Sequence, residues 1–581
     1  MTTARPVFRF CGHLLEMIAA MLAGMFALAP LWALALPGAI EQTDVHALTM
    51  ATDMAIGMAA WMRVRGHGWA GIGEMTAAMY TPFIVLLVPY WFGAVSAGVV
   101  MTGGHVLMVI AMAAVMLRRR SEYTHSGHRL PRTVVRIGAV VLALAVLPVS
   151  VGAAVAVVNT RSEYPPAPSP GAPAPASRPY DPALPTAVVV LGAEGANVAD
   201  AFGPFEVLAA TGRFNVLTAA PTAAPVTLTG GLDLVPDATF ESLATRLGGR
   251  AADVVVIPAM PRTDEPAVLD FLRRQAGGGA LVLSVCWGGG VAAAAGVLDG
   301  HAATSHWYYL DGLEKDFPEV RWQRGVRYVD DGRVISTAGV LSGIDGALRV
   351  VERLAGTQAA SAAAEAVGWR HYSPGAPLPI PVQRFGAGDA IAALNLSYRW
   401  DAPTAGVLLT EGVGELELAS VFITYTEAVY AARTLAVSSG ATTVHSRHGL
   451  TFVPRASLGD APRLDRLLVP GAAAAARHDA PTTHDLRPTY LHAAPGFAFD
   501  GPLRDIAANV DVASAAWRAK LLEYPAGDIT LAGRGWPWER TLRPVVLALA
   551  GLALLLGGLA VRRRRARRPV QLDGQPAPAA A

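Results

Sequence analysis

Cysteine is nearly absent: Cys11 and Cys286 are the only two in 581 residues. That excludes a disulfide framework and any cysteine-rich metal site. Charge is sparse as well, at 16% charged against 52% hydrophobic residues, a balance too apolar for a wholly soluble protein. The net charge of +2 is unremarkable, no large basic face is present, and no nucleic-acid partner is expected. Methionine is missing from most of the chain: 14 of 15 precede residue 117, and the last is Met260. The chain is therefore made of two different materials.

What the N-terminal material holds is long apolar runs. A bilayer crossing needs about 20 residues, and six runs approach or exceed that, at 14–37, 46–62, 76–96, 99–117, 135–158 and 544–561. The first is too long for a signal peptide and other spans follow it. Arginines set the orientation. Arg5 and Arg9 precede span one, Arg63 and Arg65 follow span two, and Arg118, Arg119, Arg120, Arg129, Arg132 and Arg136 lie between spans four and five. "RRRRARR" (562–568) follows span six. With each basic segment cytoplasmic, the spans alternate without conflict and 159–540 lies outside the cytoplasm. A five-span arrangement stays open, because only a short turn joins spans three and four, but it breaks this agreement.

Residues 159–185 carry nine prolines and read as an extended, semi-rigid spacer. From Thr186 short apolar runs alternate with helix-like segments. "TAVVVL" (186–191), "FNVLTAA" (214–220), "ADVVVIPAM" (252–260) and "ALVLSV" (280–285) read as buried strands; 198–212 and 265–279 read as helices. The pattern predicts a doubly wound parallel sheet with ligands at the carboxyl ends of its strands.

In "LVLSVCWGGGVAAAAGVL" (281–298) a strand passes into a helix through Cys286. Such a tight turn projects its side chain above the sheet, and Gly288, Gly289 and Gly290 allow the close backbone approach it requires. This is the pattern of a nucleophile elbow with cysteine in place of serine. The helix end directed at the sulfur is expected to favour thiolate, and the same N–H groups are placed to stabilise an oxyanion. The competing reading of the same residues is a buried, inert cysteine.

"SVCWGGGVAAAAGVLDGHAATSHW" (284–307) and "RYVDDGRVISTAGVLSGIDGALRVVERLAG" (327–356) resemble the ThiJ/PfpI family of the class I glutamine-amidotransferase-like superfamily. The likeness is closest to its isonitrile-hydratase-like and regulator-fused branch and covers about 186–360. It implies a flavodoxin-like α/β fold with Cys286 as the elbow cysteine. It also implies an acidic partner, which "ADAFGPFEVL" (199–208) places at Asp200, a hydrogen-bond partner for the sulfur or a general acid/base. Glu206, on the same helix, reads as structural. Three departures bear on the activity. Trp287 stands where peptidase-like members carry histidine, so His306 of "TSHW" and His301 become the candidates for a thiol partner. Ala259 stands where the family has an oxyanion-hole glycine. Trp287 also narrows the pocket, which favours a small, flat or apolar ligand.

A second stretch parallels the first. "GLDLVPDATFESLATRLGGRAADVVVIPA" (231–259) is matched by "GLTFVPRASLGDAPRLDRLLVPGA" (449–472), and 187–208 by 405–429. The second copy has no cysteine and reaches no elbow after Pro470. The chain thus divides into a membrane domain (1–158), a Pro-rich linker (159–185), a ThiJ/PfpI-like domain (186–360), an interdomain segment (361–402), a degenerate ThiJ/PfpI-like domain (403–535), a C-terminal span (544–561) and a basic cytoplasmic tail (562–581). The two α/β domains are expected to pair as an internal pseudo-dimer.

Methionines recur every four residues at Met17, Met21 and Met25, at Met50, Met54, Met58 and Met62 after His46, and at Met108, Met112 and Met116. Each set lies along one helix face. Thioether and imidazole groups suit Cu(I) and Asp53 is an intramembrane charge; flexible packing between helices explains the same stripes. Three functional readings follow. The first is cysteine-dependent hydrolase or hydratase chemistry on a small molecule, with Cys286, Asp200 and His306 acting and Trp287, Ala259 and Gly288 forming the oxyanion pocket. The second is a membrane-tethered ligand or redox sensor. The third is a metal-handling membrane protein. The first two require neither a cofactor nor a metal site; their partners are a small molecule, the lipid bilayer and the second α/β domain.

Overall fold

A computed structural model describes residues 16–25, 43–91, 97–118, 132–161, 164, 173–176, 178–478, 480, 486–525 and 527–566. Cys11, Arg5, Arg9, Arg119, Arg120, Arg129, most of the expected first span, much of the proline-rich spacer and the end of the basic tail lie outside the described residues. Contacts divide the chain into two compact units, 1–143 with 554–581, and 144–553.

In the first unit the helices Glu16–Met25, Thr43–Val64, Trp69–Trp91 and Ala97–Arg118 share one core. Met17, Met21, Met54, Met58, Met62, Met75, Met79, Met108, Met112 and Met116 are all buried in it. Their four-residue spacing turns one face of each helix inward, as helical geometry requires. Four described helices are long and apolar enough to cross a membrane: Trp69–Tyr90, Val100–Arg118, Ala143–Arg161 and Trp538–Val561. The third expected span therefore begins seven residues earlier than the sequence suggested, and Thr43–Val64, which holds the expected second span, is not among the four.

The second unit is α/β. Its strands are β1 (Thr186–Val190), β2 (Asn215–Ala220), β3 (Val226–Leu228), β4 (Leu232–Val235), β5 (Ala238–Thr239), β6 (Val254–Ile257), β7 (Leu281–Val285), β8 (Ala302–Ala303), β9 (Arg321–Trp322), β10 (Tyr328–Asp331), β11 (Val334–Thr337), β12 (Thr404–Leu408), β13 (Arg433–Ser438), β14 (Val444–His445), β15 (Thr451–Val453), β16 (Ala456–Ser457), β17 (Arg466–Val469) and β18 (Pro488–Tyr490). A seven-stranded sheet runs β10-β11-β7-β6-β1-β2-β5, parallel except for β10 against β11. Every residue of β1, β6 and β7 is buried, the mark of a parallel sheet covered on both faces. Helix Val198–Ala210 follows β1, and the Asn197 side chain caps it by accepting the Ala199 and Asp200 N–H groups. The amphipathic helix Ser342–Ala355 follows β11.

A five-stranded parallel sheet runs β16-β13-β12-β17-β18. A third, antiparallel sheet, β14-β15-β4-β3, takes two strands from each half, and β15 pairs with β4 through Leu234 and Phe452. Helices Val198–Ala210 and Glu415–Tyr425 pack against each other, and one hydrophobic core runs through the unit from Ala187 to Leu522. The segment 361–402 is not simply a connector: it adds most of the helix Thr357–Ala366 and the helix Ala390–Tyr398.

Candidate functional site

At the end of β7 the backbone of Cys286 has φ +57°, a left-handed conformation rare for a residue with a side chain. It costs on the order of 1–3 kcal/mol and persists only where the surroundings impose it. They do so through contact. A Cβ added to Gly288 would lie 2.0 Å from the Ile257 carbonyl oxygen at the end of β6, so only glycine admits this turn. Ser305 Oγ donates to the Cys286 carbonyl at 2.6 Å and pins the bend from the other side. The helix after it, Gly288–Ala294, has only seven residues.

Cys286 is 6% exposed and lines a cavity of about 370 Å³, together with Asn197, Ala259, Trp287, Tyr309 and Glu427. Asp200, on the first turn of helix Val198–Ala210, is fully buried beneath it. Its Oδ2 accepts the Ala259 N–H at 3.1 Å. Its Oδ1 has no hydrogen-bond partner among the described residues, and the carboxyl as a whole interacts with the Cys286 thiol. Burial pushes the Asp200 carboxyl well above the usual carboxylate range, only partly offset by the Ala259 N–H. The thiol is pushed well up too, first by burial and then by the neighbouring Asp200 charge. The Trp287 N–H bonds the sulfur and pulls the other way, but less strongly. The expected preference for thiolate is therefore corrected: a single N–H at a short helix does not outweigh desolvation. At neutral pH the site holds a thiol beside a carboxyl that burial disposes toward its protonated form.

Ala259 lines the cavity as the alignment of motifs placed it, but its N–H is already donated to Asp200 and is not free for an oxyanion. Trp287 narrows the cavity, its ring stacked obliquely on Tyr309 at 4.4 Å. Gly288 acts through the backbone approach just described. His306 is not brought to the sulfur. Its Nε2–H donates to the Leu521 carbonyl at 2.8 Å and its Nδ1 accepts the Tyr308 N–H at 3.2 Å. Burial lowers its pKa to about 4, so it is a neutral ring with both nitrogens in use. His301 stands 3.4 Å from Asp331.

Two acids near the sulfur carry no local sequence signal. Glu523, whose carboxyl accepts the Gly339 N–H at 2.6 Å and the Ser342 hydroxyl at 3.1 Å, is pushed up to about 7 by burial. Glu427 reaches the cavity from the end of the helix Glu415–Tyr425. Both are far from Cys286 in sequence, so only tertiary packing reveals them.

The model of the DJ-1/PfpI family matches residues 186–353. Isonitrile hydratase of Pseudomonas putida is 35% identical over 172 residues, which are 28% of this chain and 68% of that protein. The HTH-type transcriptional regulator CdhR of Pseudomonas aeruginosa is 28% identical over 151 residues, 26% of this chain and 42% of the regulator. The Parkinson disease protein 7 homolog of Danio rerio is 28% identical over 184 residues, 30% of this chain and 92% of the homolog. Among solved structures, a ThiJ/PfpI family protein from Pseudomonas syringae aligns with TM-score 0.30 and 26% identity, covering 34% of this chain and 84% of its own.

Proposed function

Because the chain belongs to the DJ-1/PfpI family through residues 186–353, we propose that it is a membrane-anchored member using Cys286 for addition chemistry on a small molecule. The observation that carries this reading is the Cys286 turn: a strained φ of +57° that presents a thiol to a cavity with the Asp200 carboxyl beside it. Hydration in the manner named for the Pseudomonas putida relative fits that pair. The protonated Asp200 gives its proton to the substrate while taking one from the thiol; the S–H bond breaks as a carbon–sulfur bond forms. Water then adds at that carbon and the carbon–sulfur bond breaks, returning the thiol. This route needs neither a resting thiolate nor a histidine. His306 holds the segment before Trp307 to the Leu521 carbonyl.

The rest of the architecture belongs to the same proposal. Residues 186–360 and 403–535 are two copies of one domain, the second without a nucleophile. Matching registers support this: Thr186↔Asn215 and Ala219↔Ala238 in one sheet correspond to Thr404↔Arg433 and Val437↔Ala456 in the other, displaced by one constant interval. Leu234 and Phe452, which pair with each other, are separated by that same interval, as expected of residues on a local two-fold axis. Four apolar helices and the arginine distribution support anchoring in a membrane, with the α/β unit outside the cytoplasm and the C-terminal tail within it.

A sensor is the second reading, and a specific observation favours it: burial holds the sulfur as a thiol, and two relatives are transcriptional regulators. Turnover separates the two. The purified full chain is expected to hydrate at least one member of a panel of small isonitriles and aldehydes, with Cys286→Ala abolishing product. Saturable binding of such a molecule with no product in the parent protein would replace the enzyme with the sensor.

A further inference from the structure

The Cys286 cavity is completed by the half of the unit that lacks a cysteine. Glu427 follows the helix Glu415–Tyr425, which packs on the helix carrying Asp200. Directly after it Ala428 (φ +55°) and Tyr430 (φ +49°) adopt left-handed backbone, a local strain that surrounding contacts must hold. Arg518 supplies one such contact, donating to the Thr426 carbonyl at 2.9 Å and to the Glu427 carbonyl. On the cavity side Thr229 Oγ1 donates to Glu427 Oε1 at 3.3 Å. The Glu427 segment is thus held in the wall of the cavity that Cys286 lines by residues from both halves.

The charge of that wall has one sign. Glu427 and Glu194 line it, and no arginine, lysine or histidine does so among the described residues. Arg518, the nearest cation to Glu427, is engaged on backbone carbonyls and does not line the cavity. The influence of Glu427 reaches every working group of the site, since its charge raises Asp200, Cys286 and Tyr309 alike. The remaining lining is aromatic, apolar or uncharged polar, including Trp287, Tyr309, Met260 and Asn197.

We infer that Glu427 is a specificity-determining residue, contributed by the second half, that makes the Cys286 cavity admit uncharged or cationic small molecules and repel anionic ones. Once pH exceeds its raised pKa, the Glu427 carboxylate acts at close range on whatever approaches the sulfur. Glu194 is exposed and pairs with Arg262 at 3.4 Å, so a carboxylate-bearing ligand would meet chiefly Glu427, whose nearest cation, Arg518, stays outside the lining. The cysteine-free half therefore shapes what the other half can bind. This inference rests on the reading of Cys286 as the working group, but it concerns selection rather than turnover.

The test uses the full chain in detergent and three methanethiosulfonate reagents: uncharged, quaternary ammonium and sulfonate. Peptide mass spectrometry reports Cys286 separately from Cys11. Rates are taken relative to those of a free small thiol. The sulfonate is expected to react at least about tenfold more slowly than the uncharged reagent and the ammonium reagent no slower than it. Glu427→Gln, which keeps the size and the Thr229 contact, is expected to shrink the sulfonate penalty at least about threefold. An unaltered protein that takes all three reagents alike overturns the inference, and that measurement needs no variant. Full discrimination retained by Glu427→Gln overturns it too. No reaction with any reagent overturns both this inference and the cysteine-based reading. Charge discrimination without isonitrile or aldehyde turnover supports the inference while sinking only the enzyme.

Discussion

At the scale of single residues, the site is decided by desolvation rather than by partial charge. A helix end does point at Cys286, and the Trp287 N–H does bond the sulfur, but a thiol that is 6% exposed beside a buried carboxyl stays protonated. The turn itself depends on a residue with no chemistry of its own. Gly288 has the Ile257 carbonyl where a methyl would go. Gly288→Ala must push β6 away from the elbow, and overpacking of this kind costs about 3 kcal/mol. Thermal unfolding followed by tryptophan fluorescence is expected to show that loss, together with slower modification of Cys286. A change below about 0.5 kcal/mol would mean that the bend tolerates a side chain and is not imposed by this contact.

At the scale of elements, the antiparallel pairing of β4 with β15 joins the two halves. Beside Leu234 and Phe452 it carries a buried ion pair, Arg455 Nη2 to Asp233 Oδ1 at 2.9 Å, with Thr227 Oγ1 donating to the same carboxylate at 2.6 Å. Removing one member of a buried pair leaves the other charge desolvated, at about 3–5 kcal/mol. Asp233→Ala is expected to lower stability by that order and to loosen the halves, read as faster amide exchange in 226–235 and 444–453. Asp233→Leu with Arg455→Met is expected to recover most of the loss, because it removes both charges. A single variant as stable as the parent would show that the pair contributes no hold between the strands.

At the scale of the whole unit, buried acids set the response to pH. Asp345 and Glu523 are each pushed up to about 7 by burial, and Asp200 and Glu427 are raised by the same cause. A raised folded value means that the native state binds the proton more tightly than the unfolded chain does. The stability these acids contribute is complete below about pH 4 and is lost as pH climbs toward 7. His306 works oppositely: its value, lowered to about 4, makes its contribution complete above about 6.5 and lost on acidification. His492 is lowered as well, again mainly by burial. The acids outnumber the histidines, so the melting temperature is expected to be at least about 5 °C higher at pH 5 than at pH 7.5. A flat or rising profile between those values would show that these carboxyls are solvated.

Much of this protein can be read from its residues in order. The strands 186–190, 215–220, 254–257 and 281–285 lie within three residues of their expected limits, because buried parallel strands are continuous apolar runs bounded by polar turns. The tight turn at Cys286 was legible because a buried apolar run ends there against three glycines, whereas the position of Asp200 came only from the family resemblance. The methionine spacing likewise foretold which helix faces turn inward. Helix limits in the first unit were less legible, since uniformly apolar sequence gives no signal for where a helix begins. Tertiary structure alone decided the protonation of the thiol, the engagement of His306 by Leu521, the use of the Ala259 N–H by Asp200, and the arrival of Glu427 at the cavity. Each depends on atoms distant in sequence meeting in a space without water, where the local pattern holds no information about burial or about which donor has already found its acceptor.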